Sequence, residues 1–496
     1  MLSHSFITKL FWVLLLVAAA LLFRTMFSQF FSADDWFHIR ISSINSVQEF
    51  ANFFSFQQTE QSAAFYRPLP TQVFFFFMYG LFGLNAVWWY IVVFASFITS
   101  LYALYVLTRQ LSNAITAQIT TLLYAISHTN STRLYFLSAY QEVLLVLFSV
   151  LSVYGFAKRN SVRWYALSLI CFWLALLSKE TAVVIPGLFG LVLLREVAQL
   201  KSFQIKLLIQ SYLQTTWPFL LSLGEYLILR FTVFGFSATS HDSYQLSFQP
   251  AQIANTIMWY GLWAVGAPET LVNYVANFRV LDRWWVDFPA LATLTLSFLA
   301  ASLLGLAVSL ISFVSNILRK KSKKLQSNLL LLAFGCCWFV LSLLPVMFFP
   351  NHKFALELGL PLVGFSLIAA ILIVENRRVG WLVLAALLAL NITATHLTAT
   401  THYSVLRSKT SQRVYEYFTK NYPNLPDNSI ISFINDRTDL PSNWGVSKQV
   451  SESLQGSEFF AVLYPDKSVL AEYADLPHTK SAELTNLTVC SAQFLP

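Results

Sequence analysis

Residues 70–84, Pro-Thr-Gln-Val-Phe-Phe-Phe-Phe-Met-Tyr-Gly-Leu-Phe-Gly-Leu, decide how this chain is arranged in a membrane. As a helix the segment would be about 22 Å long, which is short for a hydrocarbon core of about 30 Å. If it does not cross, the basic clusters of the chain all fall on one side, as cytoplasmic loops require. These clusters lie at Arg109, 158–163, 195–206, 319–324 and 377–378. We therefore interpret 70–84 as a re-entrant or interfacial helix.

The composition is that of an all-α polytopic membrane protein. Of 496 residues, 56% are hydrophobic and 16% are aromatic, and the mean hydropathy is +0.59. The net charge of +8 comes from short basic clusters beside apolar segments, so nucleic acid is not an expected partner. About eleven transmembrane helices are predicted, and the first is an uncleaved signal-anchor. The predicted spans are 8–28, 86–108, 115–128, 134–157, 164–178, 181–195, 207–233, 289–318, 328–349, 356–375 and 379–398.

This arrangement predicts a cytoplasmic N-terminus and an extracytoplasmic C-terminus. The loops 30–85 and 237–288 then lie outside, and the tryptophans of the second suit the membrane interface. Within the first loop, residues 38–56 carry apolar side chains at helical spacing and predict an amphipathic helix on the membrane. Polar, chemically capable residues gather on this outer face, so we expect the active site there.

From about residue 400 the chain has the character of a soluble protein. The pattern predicts a helix over 404–420, a strand at 430–434, a short helix over 446–454 and a strand at 459–463. We therefore divide the chain into a transmembrane domain, 1–399, and a small extracytoplasmic α/β domain, 400–496. The second carries no recognisable catalytic constellation.

Two adjacent carboxylates, Asp34 and Asp35, follow the first apolar span directly. A carboxylate that stays ionised at a hydrated membrane face can act as a general base, and a second can hold the first in place. The alternative is a solvated start of a loop. We take both as candidate catalytic residues.

Further polar residues at the predicted outer face are candidates for binding a donor phosphate or substrate. Arg67 precedes Pro68 at the head of the re-entrant helix, and arginine suits phosphate oxygens, although it also anchors helices at lipid headgroups. A Lys–Glu pair in the tight turn between two spans either seals that turn or contacts a ligand. The full set is Tyr66, Arg67, Glu142, Lys179, Glu180, His352 and Lys353.

The sequence suggests neither a nucleotide nor a resident metal. There is no Walker loop or dinucleotide fingerprint, and the eight histidines lack the spacing of a zinc site. We expect no cofactor and no protein-built metal site, with dependence on a divalent cation left open. An outer site of this kind fits a donor that is drawn from the membrane itself.

Taken in order, these motifs resemble the GT-C membrane glycosyltransferases. Residues 31–37, Phe-Ser-Ala-Asp-Asp-Trp-Phe, are similar to the acidic motif of that family's first loop, and Tyr66-Arg67-Pro68-Leu69 is similar to its helix-opening motif. Asn351-His352-Lys353 with the later Leu-Pro-Leu-Val-Gly-Phe of 360–365 resembles a third element. The likeness is greatest to the protein O-mannosyltransferase-like branch, which includes the transmembrane-and-TPR O-mannosyltransferases and bacterial relatives.

The resemblance implies inverting transfer of mannose or a similar hexose or pentose from a polyprenyl-phosphate donor. The acceptor would be a hydroxyl of a protein, lipid or glycan on the extracytoplasmic face, in a plasma membrane of bacterial or archaeal type rather than the endoplasmic reticulum. Asp34 would deprotonate that hydroxyl, and Asp35 would orient the base or hold the acceptor. Glu142 would bind sugar hydroxyls, and the donor phosphate would be held by Arg67, Lys179, His352 and Lys353.

Two other functions are compatible with a polytopic chain. A flippase or transporter of lipid-linked glycans would need polar residues through the membrane midplane, whereas those of this chain gather at one face. An inactive GT-C-like scaffold is the second alternative, because residues 127–132 and 139–142 depart from the motifs of the family.

Overall fold

The structure is a computed structural model that describes residues 4–57, 59, 65–199, 204–233, 244–320, 322–435, 445–477 and 485–496. Helices dominate, and the strands are few and short. The helices are α1 (His4–Leu22), α2 (Asp34–Ser42), α3 (Val47–Asn52), α4 (Phe74–Phe82), α5 (Ala86–Leu111), α6 (Ala114–Ile126), α7 (Thr129–Leu134), α8 (Tyr140–Ala157), α9 (Val162–Leu176), α10 (Ile185–Ala198), α11 (Ile205–Val233), α12 (Pro250–Val265), α13 (Arg283–Asp287), α14 (Pro289–Lys320), α15 (Lys323–Leu343), α16 (Pro361–Glu375), α17 (Arg377–Thr401), α18 (Tyr403–Asn421), α19 (Val446–Leu454) and α20 (Glu458–Leu463). The strands are β1 (Val275–Ala276), β2 (Arg279–Val280), β3 (Ser429–Ile434), β4 (Val469–Tyr473) and β5 (Thr485–Cys490).

The predicted polytopic helical fold is confirmed. Six helical stretches of the described residues are long and apolar enough to cross a membrane, and shorter apolar helices accompany them. Each predicted span overlaps one helix between α1 and α17, although α1 ends at Leu22, α8 begins at Tyr140 and α16 begins at Pro361, so that Glu357 lies before α16. The span predicted at 328–349 likewise ends early, because α15 ends at Leu343. Pro345 follows that end, and a proline cannot continue the hydrogen-bond pattern of a helix.

The segment 70–84 is helical but short. It begins with a π-type turn over Leu69–Val73, continues as α4 and ends at Gly83, whose φ of +53° suits a glycine. The apolar stretch Leu69–Phe82 belongs to the shorter apolar helices, as do four of the predicted spans, so its length alone does not decide whether it crosses. Its re-entrant placement stays a prediction.

The amphipathic helix predicted over 38–56 is wrong in its extent. The structure has two helices, α2 and α3, which are separated by residues 43–46. Ser46 caps α3, because its hydroxyl accepts the amide of Glu49 and donates to the Glu49 carboxylate. This Ser-x-x-Glu pattern is a capping box, which starts a new helix at a point where the apolar spacing alone predicts a continuous one.

Helix α8 is the centre of the membrane part. It packs against α5, α9 and α10. Of the 18 most apolar consecutive residues in Leu137–Ala157, 78% are buried, whereas 22% are buried in the corresponding part of Pro289–Arg319. The chain enters α8 through a 3-10 turn, Leu137–Ala139. Polar residues at the start of α8 are therefore held by a rigid scaffold at one end of the helix bundle.

The predicted loop 237–288 is largely structured. Its first residues, 237–243, lie outside the described part, and the rest contains α12, the β1–β2 hairpin and α13. Trp259, Trp263 and Trp284 are buried in the protein core, while Trp285 is exposed. The interpretation of these tryptophans as a membrane-interface belt is therefore wrong for three of the four, because helix packing rather than lipid surrounds their rings.

The C-terminal unit has the predicted α/β character. Its sheet has the order β4-β3-β5 with all strands parallel, and α18 and α19 agree closely with the predicted helices. The strand predicted at 459–463 is wrong, since these residues form α20. Phe459 and Phe460 of this short apolar run are both fully buried. A short buried run does not distinguish a strand from a helix by its pattern.

Candidate active site

Asp34 is the first residue of α2, and its carboxylate is free. The side chain is exposed, and it makes no hydrogen bond or ion pair with the residues that the structure describes. Burial by surrounding atoms nevertheless raises the pKa of Asp34, while the positive charges of Arg407 and Arg67 lower it. The exposed carboxylate therefore lies close to protein atoms that exclude part of the surrounding water from it.

The residue before Asp34 has a strained backbone. Ala33 has φ +50° and ψ −127°, a conformation that costs a residue other than glycine on the order of 1–3 kcal/mol. Its amide donates to the carbonyl oxygen of Ser453 at 2.8 Å. The direction in which α2 starts, and with it the placement of Asp34, therefore depends on a contact with α19.

Asp35 is fully buried and points into the protein. One carboxylate oxygen accepts from the amide and the hydroxyl of Ser138, at 2.8 and 2.6 Å, and the other accepts from the Ser32 amide at 3.0 Å. Burial raises the pKa of Asp35 to about 7, against the effect of these hydrogen bonds. Asp35 thus joins α2 to the turn that precedes α8, and it positions its neighbour rather than facing solvent.

Arg67 lies before the π-type turn, and its guanidinium is held on two sides. It donates through Nε to the Glu180 carboxylate at 2.7 Å and through Nη1 to the side-chain oxygen of Gln141 at 2.6 Å. The ring of Phe65 lies 4.6 Å from the guanidinium carbon. The fork geometry of arginine allows these contacts together, so Arg67 presents a fixed positive charge.

Lys179 and Glu142 form an ion pair that is almost completely buried. The second carboxylate oxygen of Glu142 has no hydrogen-bond partner among the described residues, and neither does Nη1 of Arg133. Both atoms lie beside Gly359, where an added Cβ would come within 2.7 Å of that nitrogen and 3.2 Å of that oxygen. An added Cβ at position 359 would therefore crowd both atoms, and two cations accompany one buried carboxylate.

His352 and Glu357 lie on the same side of the cluster. The Nε2 of His352 is 3.8 Å from the Glu357 carboxylate, to which the Tyr260 hydroxyl donates a hydrogen bond. Burial and the charges of Lys179 and Arg67 lower the pKa of His352 to about 4, so its ring is neutral at pH 7. Burial raises the pKa of Glu357 to about 7. His352 therefore offers a neutral ring rather than a cation.

Two predicted residues do not join this cluster. Tyr66 is buried, its hydroxyl donates to the Phe54 carbonyl at 2.9 Å, and its ring stacks on Phe56 at 4.1 Å. Lys353 is half-buried, and the structure gives it no ion pair or hydrogen bond with the described residues. Burial alone lowers the pKa of Lys353, without a contribution from the charges of the cluster.

Sequence reasoning missed several charged residues that the fold adds. The first turns of α18 bring Tyr403 and Arg407 close to Asp34, and His402 lies just before them. The positive charge of Arg407 lowers the pKa of Asp34. The Nε2 of His402 is 3.8 Å from the Glu269 carboxylate. Glu357 was missed as well. A charged residue inside the otherwise apolar run 354–365 was the available signal for Glu357, whereas nothing local marks Arg407.

These residues form one electrostatically connected group. The pKa of Lys179 is raised by Glu142, Glu357 and Glu180 against the effects of burial and Arg67. Arg67 in turn acts on Asp34 at the edge of the group. The arrangement places a free, exposed carboxylate beside fixed cations, which is suited to taking a proton from one group while binding an anionic one.

The described residues contain no set of three His, Cys, Asp or Glu side chains that could hold a metal ion. The His–Glu contacts at 3.8 Å each pair one ring with one carboxylate. The donor set of the cluster is therefore one of cations and carboxylates with hydrogen-bonding partners.

The comparison with known families bears on this region directly. Residues 67–221 match the model of the family described as dolichyl-phosphate-mannose-protein mannosyltransferase. The resemblance to GT-C glycosyltransferases is confirmed. The matched segment contains Arg67, Glu142, Lys179 and Glu180, and Asp34 lies before its start. No curated sequence is similar enough to this chain to be matched with it.

Solved structures show distant likenesses. The oligosaccharyltransferase of Archaeoglobus fulgidus in its apo form is 14% identical, with a TM-score of 0.45, and the alignment covers 95% of this chain. This chain spans 65% of the length of that protein. ArnT of Cupriavidus metallidurans bound to undecaprenyl phosphate is also 14% identical, with a TM-score of 0.43, and the alignment covers 93% of this chain and 89% of ArnT.

Proposed function

We propose that this multi-pass membrane protein transfers a sugar from a polyprenyl-phosphate donor to a hydroxyl acceptor with inversion. The observation that carries the proposal is the exposed, unengaged carboxylate of Asp34 within reach of the charges of Arg67 and Arg407. The match of residues 67–221 to a family described by its dolichyl-phosphate-mannose donor supports a lipid-linked sugar, with mannose as the first sugar to test.

The reaction is a single displacement at the anomeric carbon. The acceptor hydroxyl gives its proton to Asp34 as its oxygen bonds to the anomeric carbon, and the bond from that carbon to the phosphate oxygen breaks. Polyprenyl phosphate leaves with the bonding electron pair. Attack from the face opposite the phosphate inverts the configuration. The raised pKa of Asp34 makes it a stronger base, and the two arginines favour the ionised form that must accept the proton.

The leaving phosphate gains negative charge as the bond breaks. Arg67 and Lys179 are the candidates to stabilise it, because both are held in place by carboxylates. Their positions are fixed before the reaction, so little reorganisation is needed at the transition state. Glu142, whose second oxygen lacks a partner among the described residues, is a candidate to accept a hydrogen bond from a sugar hydroxyl.

The placement of the site completes the proposal. We assign residues 1–399 to the membrane domain and 400–496 to an extracytoplasmic domain, with the N-terminus in the cytoplasm. The acceptor is a hydroxyl of a protein, lipid or glycan outside the plasma membrane. The charged cluster gathers at the start of α8 rather than along its length, which favours transfer at one face over transport of a glycan through the bundle.

The test uses the full chain in lipid nanodiscs with undecaprenyl phosphate that carries ¹⁴C-mannose. Membranes and secreted proteins from cells that lack the protein supply the acceptor. The expected result is label that survives mild acid, which cleaves the donor but not an O-glycoside. In proteoliposomes, movement of intact donor across the bilayer without bond cleavage would favour a flippase. A lack of transfer with mannosyl, glucosyl and pentosyl donors alike would contradict the proposal.

A further inference from the structure

The segment around Asp34 is held from outside the membrane helices. The Phe30 amide donates to the Ser408 hydroxyl oxygen at 2.7 Å, and the indole N–H of Trp36 donates to the Ser411 hydroxyl oxygen at 3.0 Å. Between them, the Ala33 amide donates to the Ser453 carbonyl at 2.8 Å. Two contacts thus come from α18 and one from α19, on both sides of Asp34.

Aromatic and charged contacts extend this interface along α2. The Trp36 ring meets Phe459 edge-on, with 4.9 Å between the centroids. Arg40, one turn further on, forms an ion pair with Glu458, and its Nη2 lies 3.1 Å from the Glu458 carboxylate. Trp36 is fully buried, so α2 rests on α20 through an interior contact rather than a surface one.

The strained backbone of Ala33 is what these contacts stabilise. An alanine released from its surroundings would leave the positive-φ region, because its Cβ crowds the backbone there. That rotation would change the direction in which α2 starts, and Asp34 follows directly. On the membrane side, Asp35 is bound to Ser138. Asp34 therefore stands between two anchors while its own carboxylate stays free.

We propose that the C-terminal α/β unit is a positioning element of the active site. Ser408 and Ser411 of α18 and the end of α19 hold residues 30–36, so that Ala33 keeps its positive φ and Asp34 faces the cation cluster. This inference rests on the proposed role of Asp34 as the base. It assigns to residues 400–496 a part in catalysis, although they carry no catalytic motif of their own.

The experiment compares three full-length variants in nanodiscs with the wild type. The first, Ser408→Ala with Ser411→Ala, removes the two hydroxyl acceptors. The second adds Ala33→Gly, which permits φ +50° without strain. The control is Gln412→Ala, at a half-buried position of the same helix where the side chain bonds only Glu416 of α18. Hydrogen–deuterium exchange over residues 30–36 needs no substrate, and mannosyl transfer from the labelled donor gives kcat and KM.

In the serine double variant we expect amide exchange at Phe30 to rise about tenfold, as for the loss of a hydrogen bond of ordinary strength, and exchange at Ala33 to rise with it because the segment loosens although the Ser453 carbonyl remains. We expect kcat to fall about tenfold or more while the KM for the donor changes little, since misplacement of a base affects the chemical step. Addition of Ala33→Gly should restore most of kcat, because residues 30–36 can then keep their conformation without the contacts from Ser408 and Ser411. A structural role alone would not give this rescue.

Exchange and kcat equal to those of Gln412→Ala would overturn the inference. A fall in kcat that Ala33→Gly does not reverse would overturn it too, because the loss would then not arise from the loop. Full transfer by Asp34→Asn is a separate outcome, which removes the proposed base. The exchange result does not depend on transfer, so the two failures are distinguishable.

Discussion

The guanidinium of Arg67 donates to the carboxylate of Glu180 at 2.7 Å, across 113 positions of the sequence. A second contact runs beside it, because the Leu69 amide donates to the Leu177 carbonyl at 3.3 Å. Together they fix the head of the short helical stretch Leu69–Phe82 against the turn between α9 and α10. The same pair that closes this junction also places a positive charge toward Asp34.

Replacement of Arg67 by lysine should weaken donor binding. Lysine lacks the planar fork that holds Glu180 and Gln141 in a fixed geometry and that matches phosphate oxygens. We expect the KM for the mannosyl donor to rise about tenfold, which corresponds to about 1.4 kcal/mol. Steady-state kinetics in nanodiscs measure it, with the exposed Arg283→Lys as the control. An unchanged KM and kcat would show that Arg67 only seals the junction.

The ion pair of Lys179 and Glu142 predicts a large effect on stability. Glu142→Gln leaves the buried Lys179 without its anionic partner, and we expect the free energy of unfolding to fall by about 3–5 kcal/mol. Tryptophan fluorescence during denaturation in detergent measures this loss. In the exposed pair of Arg283 and Asp287, Arg283→Gln should cost less than about 1 kcal/mol. Equal losses in the two variants would contradict the burial argument.

The charge of Arg407 predicts a change in the pH dependence of transfer. Arg407 lowers the pKa of Asp34, so Arg407→Met should raise that pKa and move the acidic limb of kcat/KM to higher pH. Glu452 pairs with Arg407, and Glu452→Gln leaves the arginine charge less compensated, so the limb should move to lower pH. The dependence of kcat/KM on pH in the two variants measures both shifts. Shifts in the same direction for both variants would refute the electrostatic role.

Glu357 predicts a pH-dependent cost to stability. Burial raises its pKa from 4.5 to about 7, so the folded protein binds more protons than the unfolded chain between these values. The free energy of unfolding is therefore highest at low pH, and it falls by about 3 kcal/mol in total as the pH rises from about 4.5 to 7. Glu357→Gln removes this dependence and keeps an acceptor for Tyr260. The wild type should lose stability relative to the variant between pH 5 and pH 8, and a constant difference in unfolding free energy would contradict the assignment.

The sequence predicts elements better than it predicts their contacts. The long apolar runs give the membrane helices, and the amphipathic pattern gives α18 and α19, because burial of apolar surface and helical periodicity are local signals. The break between α2 and α3 was missed, although Ser46 and Glu49 form a recognisable capping box. The extent of α15 was missed because its end depends on a proline within an apolar run.

In the candidate site, too, the sequence predicts the individual residues better than it predicts their contacts. The sequence marks Glu142 and the Lys179–Glu180 pair because charged residues at the ends of apolar spans need partners, and it marks Arg67 by its place before Pro68. Which partner each one has depends on the packing of α8 against α9 and α10, which no local pattern encodes. The contribution of Arg407 could not be predicted for the same reason.

The most direct test of the central claim is mannosyl transfer by Asp34→Asn, with Asp466→Asn, at an exposed position, as the matched control. Asparagine keeps the size of the side chain but cannot accept the proton of the acceptor hydroxyl. We predict that Asp34→Asn loses transfer by at least about a hundredfold while it still binds the labelled donor, and that Asp466→Asn transfers as the wild type does. Transfer by Asp34→Asn at the wild-type rate would contradict the account.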